Sequence, residues 1–272
     1  MHGELAQLVA LTTHGTAFLR QGGPPPELFP DHSTFRFVGD VTFVRPRGPF
    51  GLLRPRGSLS SGTAAWLQLL RKGGVTHLEL MRSRGAAHNR ELPPHIEVGF
   101  SNGLDAALVA RNGRGSAEIW TGHWRVAEPN HPRQRIWAVS YRGVSTRGLR
   151  PHQVSLNDAA ERLAEALDAA REVALDNSWD TWAERLRLAS AELSSPSPTI
   201  KYHADMLPPR GYGLRARQVL AGVSAGWVLG GMGSWNDLAP RDEKPYAAVT
   251  VQLHAALVEG AAAAASSFDH VA

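Results

Sequence analysis

Gly222-Val223-Ser224-Ala225-Gly226 has the Gly-Xaa-Ser-Xaa-Gly form that exposes a nucleophilic serine on a strained strand-to-helix turn in hydrolases. Asp237 or Asp242, then His254 or His270, follow in the order such a triad needs. The form is short enough to arise by composition, and nothing upstream resembles a glycine-rich oxyanion loop. A helical reading explains more residues. Gly222, Gly226 and Gly230 recur every four positions beside Ala221 and Ala225, which makes a stripe for close backbone packing against the alanine-rich segment 247–265. Packing is therefore the expectation for Ser224, with a serine hydrolase as the minor alternative.

Metal chemistry has two sources. His77 and Glu79 share one face of a strand-like segment, and His95 and Glu97 share a face of the next, with His88 and Glu91 between them. Two imidazoles and two carboxylates suit zinc or iron. Leu78, Leu80, Ile96 and Val98 alternate with them, however, as in a sheet with one solvated face, so no metal is assigned. His203-Xaa-Asp205 is a weaker motif of the same kind.

Anion chemistry has better support. Arg-Pro-Arg-Gly occurs at 45–48 and again at 54–57, so Arg45, Arg47, Arg54 and Arg56 lie on a stiff loop suited to phosphate or carboxylate. Val228–Leu238 reads VLGGMGSWNDL. It has neither the lysine of a P-loop nor the spacing of a dinucleotide fingerprint. Gly231 and Gly233 permit turns closed to other residues, and Ser234, Trp235, Asn236 and Asp237 combine exposed amides, an aromatic ring and an acid. These four are expected on a ligand rim, with Asp237 as the proton-transfer group. No motif identifies a cofactor.

The elements that must position these residues divide at about residue 150. Residues 3–13 predict a helix that stops at Gly15. TFRFVGDVTFV predicts a strand carrying Phe35, Phe37, Val41 and Phe43 on one face, bulged at Gly39. A helix capped by Ser61 follows, with Trp66, Leu69 and Leu70 inward and Gly73 as its stop. VTHLELMR, HIEVGFS, DAALVAR, AEIWTGHWRVA and RIWAVSYRG alternate as strands with turn-rich connections. The last two suggest a hairpin around Asn130-His131, with Trp124 opposite Trp137 and Trp120 opposite Tyr141. Because Thr121, His123, Arg125, Ser140 and Arg142 occupy the other face, the aromatic ladder is expected to be core rather than a stacking platform.

After Ser155 the period becomes helical. Leu156, Leu163, Leu167 and Ala170 mark one helix, and Trp179, Trp182 and Leu186 mark the buried side of the next. A long connector, SSPSPTIKYHADMLPPRGYG, leads to two small-residue helices that flank the glycine-rich stretch, the second beginning near Pro245. Strands first and helices later predict an α+β fold, a mostly antiparallel sheet in the N-terminal half packed on a helical C-terminal half. The 272 residues are expected to form one compact domain.

Composition limits the chemistry. The chain has no cysteine, which excludes disulfides, thiolate nucleophiles and cysteine-ligated metals. Residues 1–150 hold 19 Arg and Lys against 10 Asp and Glu, and residues 151–272 hold 10 against 15, for a net charge of +4. A mainly β, basic half thus precedes a mainly α, acidic half, and the two are expected to attract. An Ala-, Gly- and Arg-rich chain also has the composition of a GC-rich genome. The start of the chain lacks a secretory pattern, and the weakly polar stretch 219–232 is too short to span a bilayer, so a soluble cytoplasmic protein without a membrane role is expected. A nucleic-acid role has no recognised module behind it.

Taken together, the residues favour an enzyme or small-ligand-binding protein that takes a phosphate- or carboxylate-bearing molecule in a cleft between sheet and helices. The alternative is a non-catalytic module for an acidic partner or for self-association.

Overall fold

The computed structural model describes residues 1–45, 59–82, 92–113, 115–149 and 154–269. Among them are six strands: β1 (Val38–Val44), β2 (Leu59–Ser61), β3 (Val75–Arg82), β4 (Ala106–Asn112), β5 (Ser116–Val126) and β6 (Trp137–Arg147). They form one sheet in the order β2-β1-β6-β5-β4-β3, antiparallel except for the parallel pair β1 and β6. The helices are α1 (Gly3–Gln21), α2 (Thr63–Lys72), the single turn α3 (Pro94–Glu97), α4 (Leu156–Asp176), α5 (Asp180–Glu192), α6 (Leu214–Gly226) and α7 (Glu243–Ser266). The fold is α+β, with a mostly antiparallel sheet in the N-terminal half.

Helices α1 and α7 pack on β3 and on each other, α4 and α6 cover α7 from the far side, and α5 packs on α4 and α6. Contact with β3, β4, α2 and α7 explains why α1 is buried almost all round from Leu5 to Phe18. It also explains why Gly15 does not stop the helix. A Cβ there would lie 2.4 Å from Leu78 Cδ1 and 3.0 Å from Leu67 Cδ2, so glycine serves close packing and α1 runs on to Gln21. Helix α7 is the one described helix long and apolar enough to cross a membrane, yet 56% of its most apolar window is buried within the protein.

Several expectations match the observed elements. The pairing of β1 with β6 shifts between Val38 and Asp40, which places the bulge at Gly39. Gly73 ends α2, and the Ser155 side chain accepts from the Asp158 N–H to cap α4. Other expectations fail locally. Ser61 ends β2 and does not cap α2; instead the Glu27 carboxylate accepts from the backbone N–H of Thr63 at 2.8 Å and of Ala64 at 3.2 Å. Phe35 lies in a 3-10 turn, Ser33–Phe35, ahead of β1, and Phe37 is 46% exposed. HIEVGFS is not a strand: Pro93 and Pro94 lead into α3, where His95 and Glu97 lie within one helical turn.

The β5–β6 hairpin is offset by two residues from the expected register. Trp124 pairs with Val139, Val126 with Trp137, and Trp120 with Gly143. A shift of two preserves the face, so the aromatic residues remain inward. Phe43 stacks between Trp66, at 4.3 Å, and Tyr141, at 5.1 Å, with the Trp120 edge against Phe43 and Trp66. This cluster is core.

Candidate functional site

The glycine-rich stretch begins where α6 ends. Trp227, Val228 and Leu229 are buried, and Gly230, Gly231 and Gly233 all have positive φ, between 72° and 86°. Gly230 therefore lies outside the helix and is not part of the four-residue stripe. Gly222 and Gly226 do pack closely, but mainly against Leu193 of the α5 end and Leu167 of α4, while α7 contributes its own Gly260 against Val223. Ser224 is fully buried within α6, with no strand before it, so the geometry of a nucleophile elbow is absent.

The loop is closed by a hydrogen bond from Trp235 N to Val228 O, 3.0 Å. Asp237 Oδ2 accepts from the backbone N–H of Gly233 at 2.6 Å and of Ser234 at 3.2 Å, so its carboxylate holds the turn from within. Asn236 Nδ2 donates to His95 O at 2.6 Å. Trp235 is fully buried: its indole N–H donates to Thr250 Oγ1 at 2.8 Å and its ring stacks on Tyr246. Of the four residues expected on a rim, Ser234 lines a cleft, and the other three anchor the loop behind it. Met232 projects from the turn with full exposure.

The arginines of the repeated Arg-Pro-Arg-Gly do not gather in the described structure. Arg45 bonds to Glu118 at 3.0 Å and lies over Trp120, on the sheet. Arg47, Arg54 and Arg56 lie outside the described residues. His77 Nε2 and Glu79 Oε1 are 3.1 Å apart, and Arg111 takes the other Glu79 oxygen at 2.6 Å. No group of three or more histidines and carboxylates among the described residues is arranged to hold a metal ion.

The cleft behind Met232 has a volume of about 770 Å3, within the range of small-molecule sites. It lies between the start of α1, the turn before β1, the connector ahead of α6, α5 and the glycine loop. Arg36 and Arg185 supply cationic groups, and Phe37, Trp182, Tyr202 and Trp227 supply aromatic ones. Arg185 donates to Trp227 O at 2.9 Å, which fixes its guanidinium at the loop. His2 stacks on Trp227, and burial pushes its pKa down to about 4, so it is neutral at pH 7. A second hollow of about 820 Å3, near Arg82, Asp158 and Glu259, borders segments outside the described residues.

One wall of the cleft carries a polar chain that the sequence motif His203-Xaa-Asp205 only hinted at. Ser33 Oγ and Asp205 Oδ1 are in short hydrogen-bond contact, and Asp205 Oδ2 accepts from Ser33 N at 2.9 Å. Ser33 Oγ also lies 2.8 Å from His203 Nδ1. His14 Nε2 and His32 Nε2 each lie 2.8 Å from Asp205 O, which ties α1 and the turn to the same segment. His203 itself has φ +137°, a conformation that non-glycine residues rarely adopt and that recurs at functional sites. Ser33 and His203 line the cleft; Asp205 stands behind them.

Ser33, Arg36, Arg185 and Tyr202 escaped sequence reasoning because they come from three separated segments, and His203 reads only as part of a weak metal motif. The one signal was a run of polar, chemistry-bearing residues within otherwise irregular connectors, DHS at 31–33 and YHAD at 202–205. Compared with known proteins, the chain matches no family model, no curated protein and no solved structure.

Proposed function

We propose that the protein binds a small anionic molecule with an aromatic or apolar body in the cleft behind Met232. The observation that carries this reading is the lining itself, which combines two arginines, two histidines and four aromatic side chains with no aspartate or glutamate among its described residues. Such a lining favours a carboxylate or phosphate over a cation and offers ring faces to the remainder of the ligand.

2-Naphthoate is a suitable probe, read by tryptophan fluorescence, to which Trp182 and Trp227 of the lining contribute. Saturable quenching is expected, with affinity falling about tenfold in Arg36→Ala, equivalent to roughly 1.4 kcal/mol. The neutral 2-naphthylmethanol is expected to bind more weakly. Equal affinity for both probes, or for wild type and Arg36→Ala, would sink the anion reading.

A second reading draws on the apolar fringe of the same face, where Met232, Tyr202 and Phe37 are all exposed. On that reading the face mediates self-association. Sedimentation velocity would then show a concentration-dependent dimer that Met232→Asp abolishes, and a monomer at all concentrations would exclude it.

A further inference from the structure

We infer that His203 is a general base acting on the molecule held in the cleft, oriented by Ser33 and Asp205 as a two-step relay; this inference rests on the cleft reading above.

The direction of the hydrogen bonds follows from counting protons. Ser33 has one hydroxyl hydrogen and two neighbours that could take it, Asp205 Oδ1 and His203 Nδ1. Hydrogen bonds from neighbouring Ser33 hold the Asp205 carboxyl below its ordinary range against the opposing effect of burial, so it is ionised and can only accept. A carboxylate without a proton has only lone pairs to offer, and Ser33 therefore donates to Asp205. Its oxygen is then left to accept from His203, which places the imidazole hydrogen on Nδ1. Nε2 keeps its lone pair, and it makes no hydrogen bond among the described residues. Burial lowers the pKa of this ring, which keeps it in the unprotonated form at pH 7.

The same count removes Ser33 as a nucleophile, because its hydrogen is committed to Asp205 rather than to the imidazole. Ser33 and Asp205 are positioning residues. When Nε2 accepts a proton, the imidazolium formed is stabilised by the Asp205 charge through the Ser33 hydroxyl, while negative charge left on the ligand falls in a cleft that also holds Arg36 and Arg185.

The inference is tested with 5-nitrobenzisoxazole, a planar aromatic probe that needs only a base. Nε2 takes the C3 proton, the C–H electron pair forms the nitrile, the N–O bond breaks, and 2-cyano-4-nitrophenolate leaves. Wild type is expected to eliminate the probe at least about tenfold faster than His203→Asn, and 2-naphthoate is expected to inhibit the wild-type reaction. Asn is chosen because it tolerates positive φ better than most side chains. Nitrogen-15 NMR of wild-type imidazoles is a second measurement that no folding defect can obscure. It should show a neutral Nδ1–H ring at His203, shifting towards Nε2–H in Asp205→Asn.

An elimination rate equal in wild type and His203→Asn, with naphthoate still bound by wild type, overturns the base and leaves the cleft reading standing. A neutral Nε2–H ring in wild type overturns it as well. If wild type binds no naphthoate, the cleft reading fails and the base falls with it.

Discussion

Glu4, His2 and His254 set opposing pH dependences. Burial raises the Glu4 carboxyl to about 7, even though it accepts from Asn102 N at 2.6 Å. Its folded form holds a proton that the unfolded chain releases near 4.5, so its contribution is full below 4.5 and is lost as pH rises to about 7. His2 and His254 are pushed down by burial to about 4, so each contributes fully above 6.5 and loses that contribution as pH falls towards 4. Burial likewise lowers the Met1 amino group from 8.0 to about 5, so its contribution is full above 8 and is lost as pH falls towards 5. Between 4.5 and 6.5 these groups outweigh one glutamate, and between 6.5 and 7 the amine offsets it. Stability should therefore fall steeply on acidification below pH 6.5 and be greatest near pH 8, by the same linkage. Urea midpoints measured across pH would check this. Glu4→Gln should steepen the rise between pH 4.5 and 7, and His254→Gln should flatten the acid limb. None of this was legible in the sequence, where Glu4 opens a helix like any first-turn acid and His254 sits among alanines. Burial where α7 packs on α1 and the sheet creates the shifts, and burial by distant segments leaves no local mark.

At the scale of elements, legibility followed length and alternation. VTHLELMR gives β3 without error, because eight alternating residues admit only one period. HIEVGFS misled because two apolar and two polar residues fit either a strand or one helical turn, and the preceding prolines decided the matter. The hairpin kept its buried face but not its register, since alternation fixes the face and only the turn fixes the offset. The glycine that enforces the true register is Gly143, over which the Trp120 ring lies; a Cβ there would be 2.6 Å from two ring atoms. Trp120 is itself held by Phe43 and Trp66 and cannot retreat. Gly143→Ala should cost about 2 to 3 kcal/mol in chemical denaturation. Gly15→Ala should cost less. The atom it meets first is a leucine methyl that can rotate away, and the helix gains roughly 1 kcal/mol of propensity. Equal losses in the two variants would refute the argument from ring immobility.

Across the whole molecule, opposite net charges on the two halves suggested electrostatic attachment. The described ion pairs do not take that form. Arg45–Glu118, Arg82–Asp105 and Arg111–Glu79 stay within the sheet half, and Arg162–Glu259 and Arg187–Glu184 within the helical half; only His32–Asp205 crosses. The halves meet instead through apolar packing of α7 on α1 and β3, together with bonds such as Thr13 Oγ1 to Met206 O and Leu80 N to Ser266 Oγ. Thermal unfolding should therefore be a single transition, coincident by far-ultraviolet circular dichroism and tryptophan fluorescence. Its midpoint should move by no more than about 2 °C between low and moderate salt, because screening reaches surface pairs worth little to begin with. Two transitions would show that the halves fold apart. The α+β class was readable because it depends on the order of periodic segments. The cleft was not, because it depends on how three connectors meet.

Met232 gives the face a built-in chemical reporter. Its thioether stands in open solvent on a turn held by Asp237 beneath it, whereas Met206 is fully buried. Dilute peroxide should convert Met232 to its sulfoxide well before Met206, and peptide mass spectrometry would record the order. A molecule seated in the cleft, or a second chain covering the face, would slow that conversion. The oxidation rate of one side chain thus becomes a measure of occupancy, whatever the occupant is.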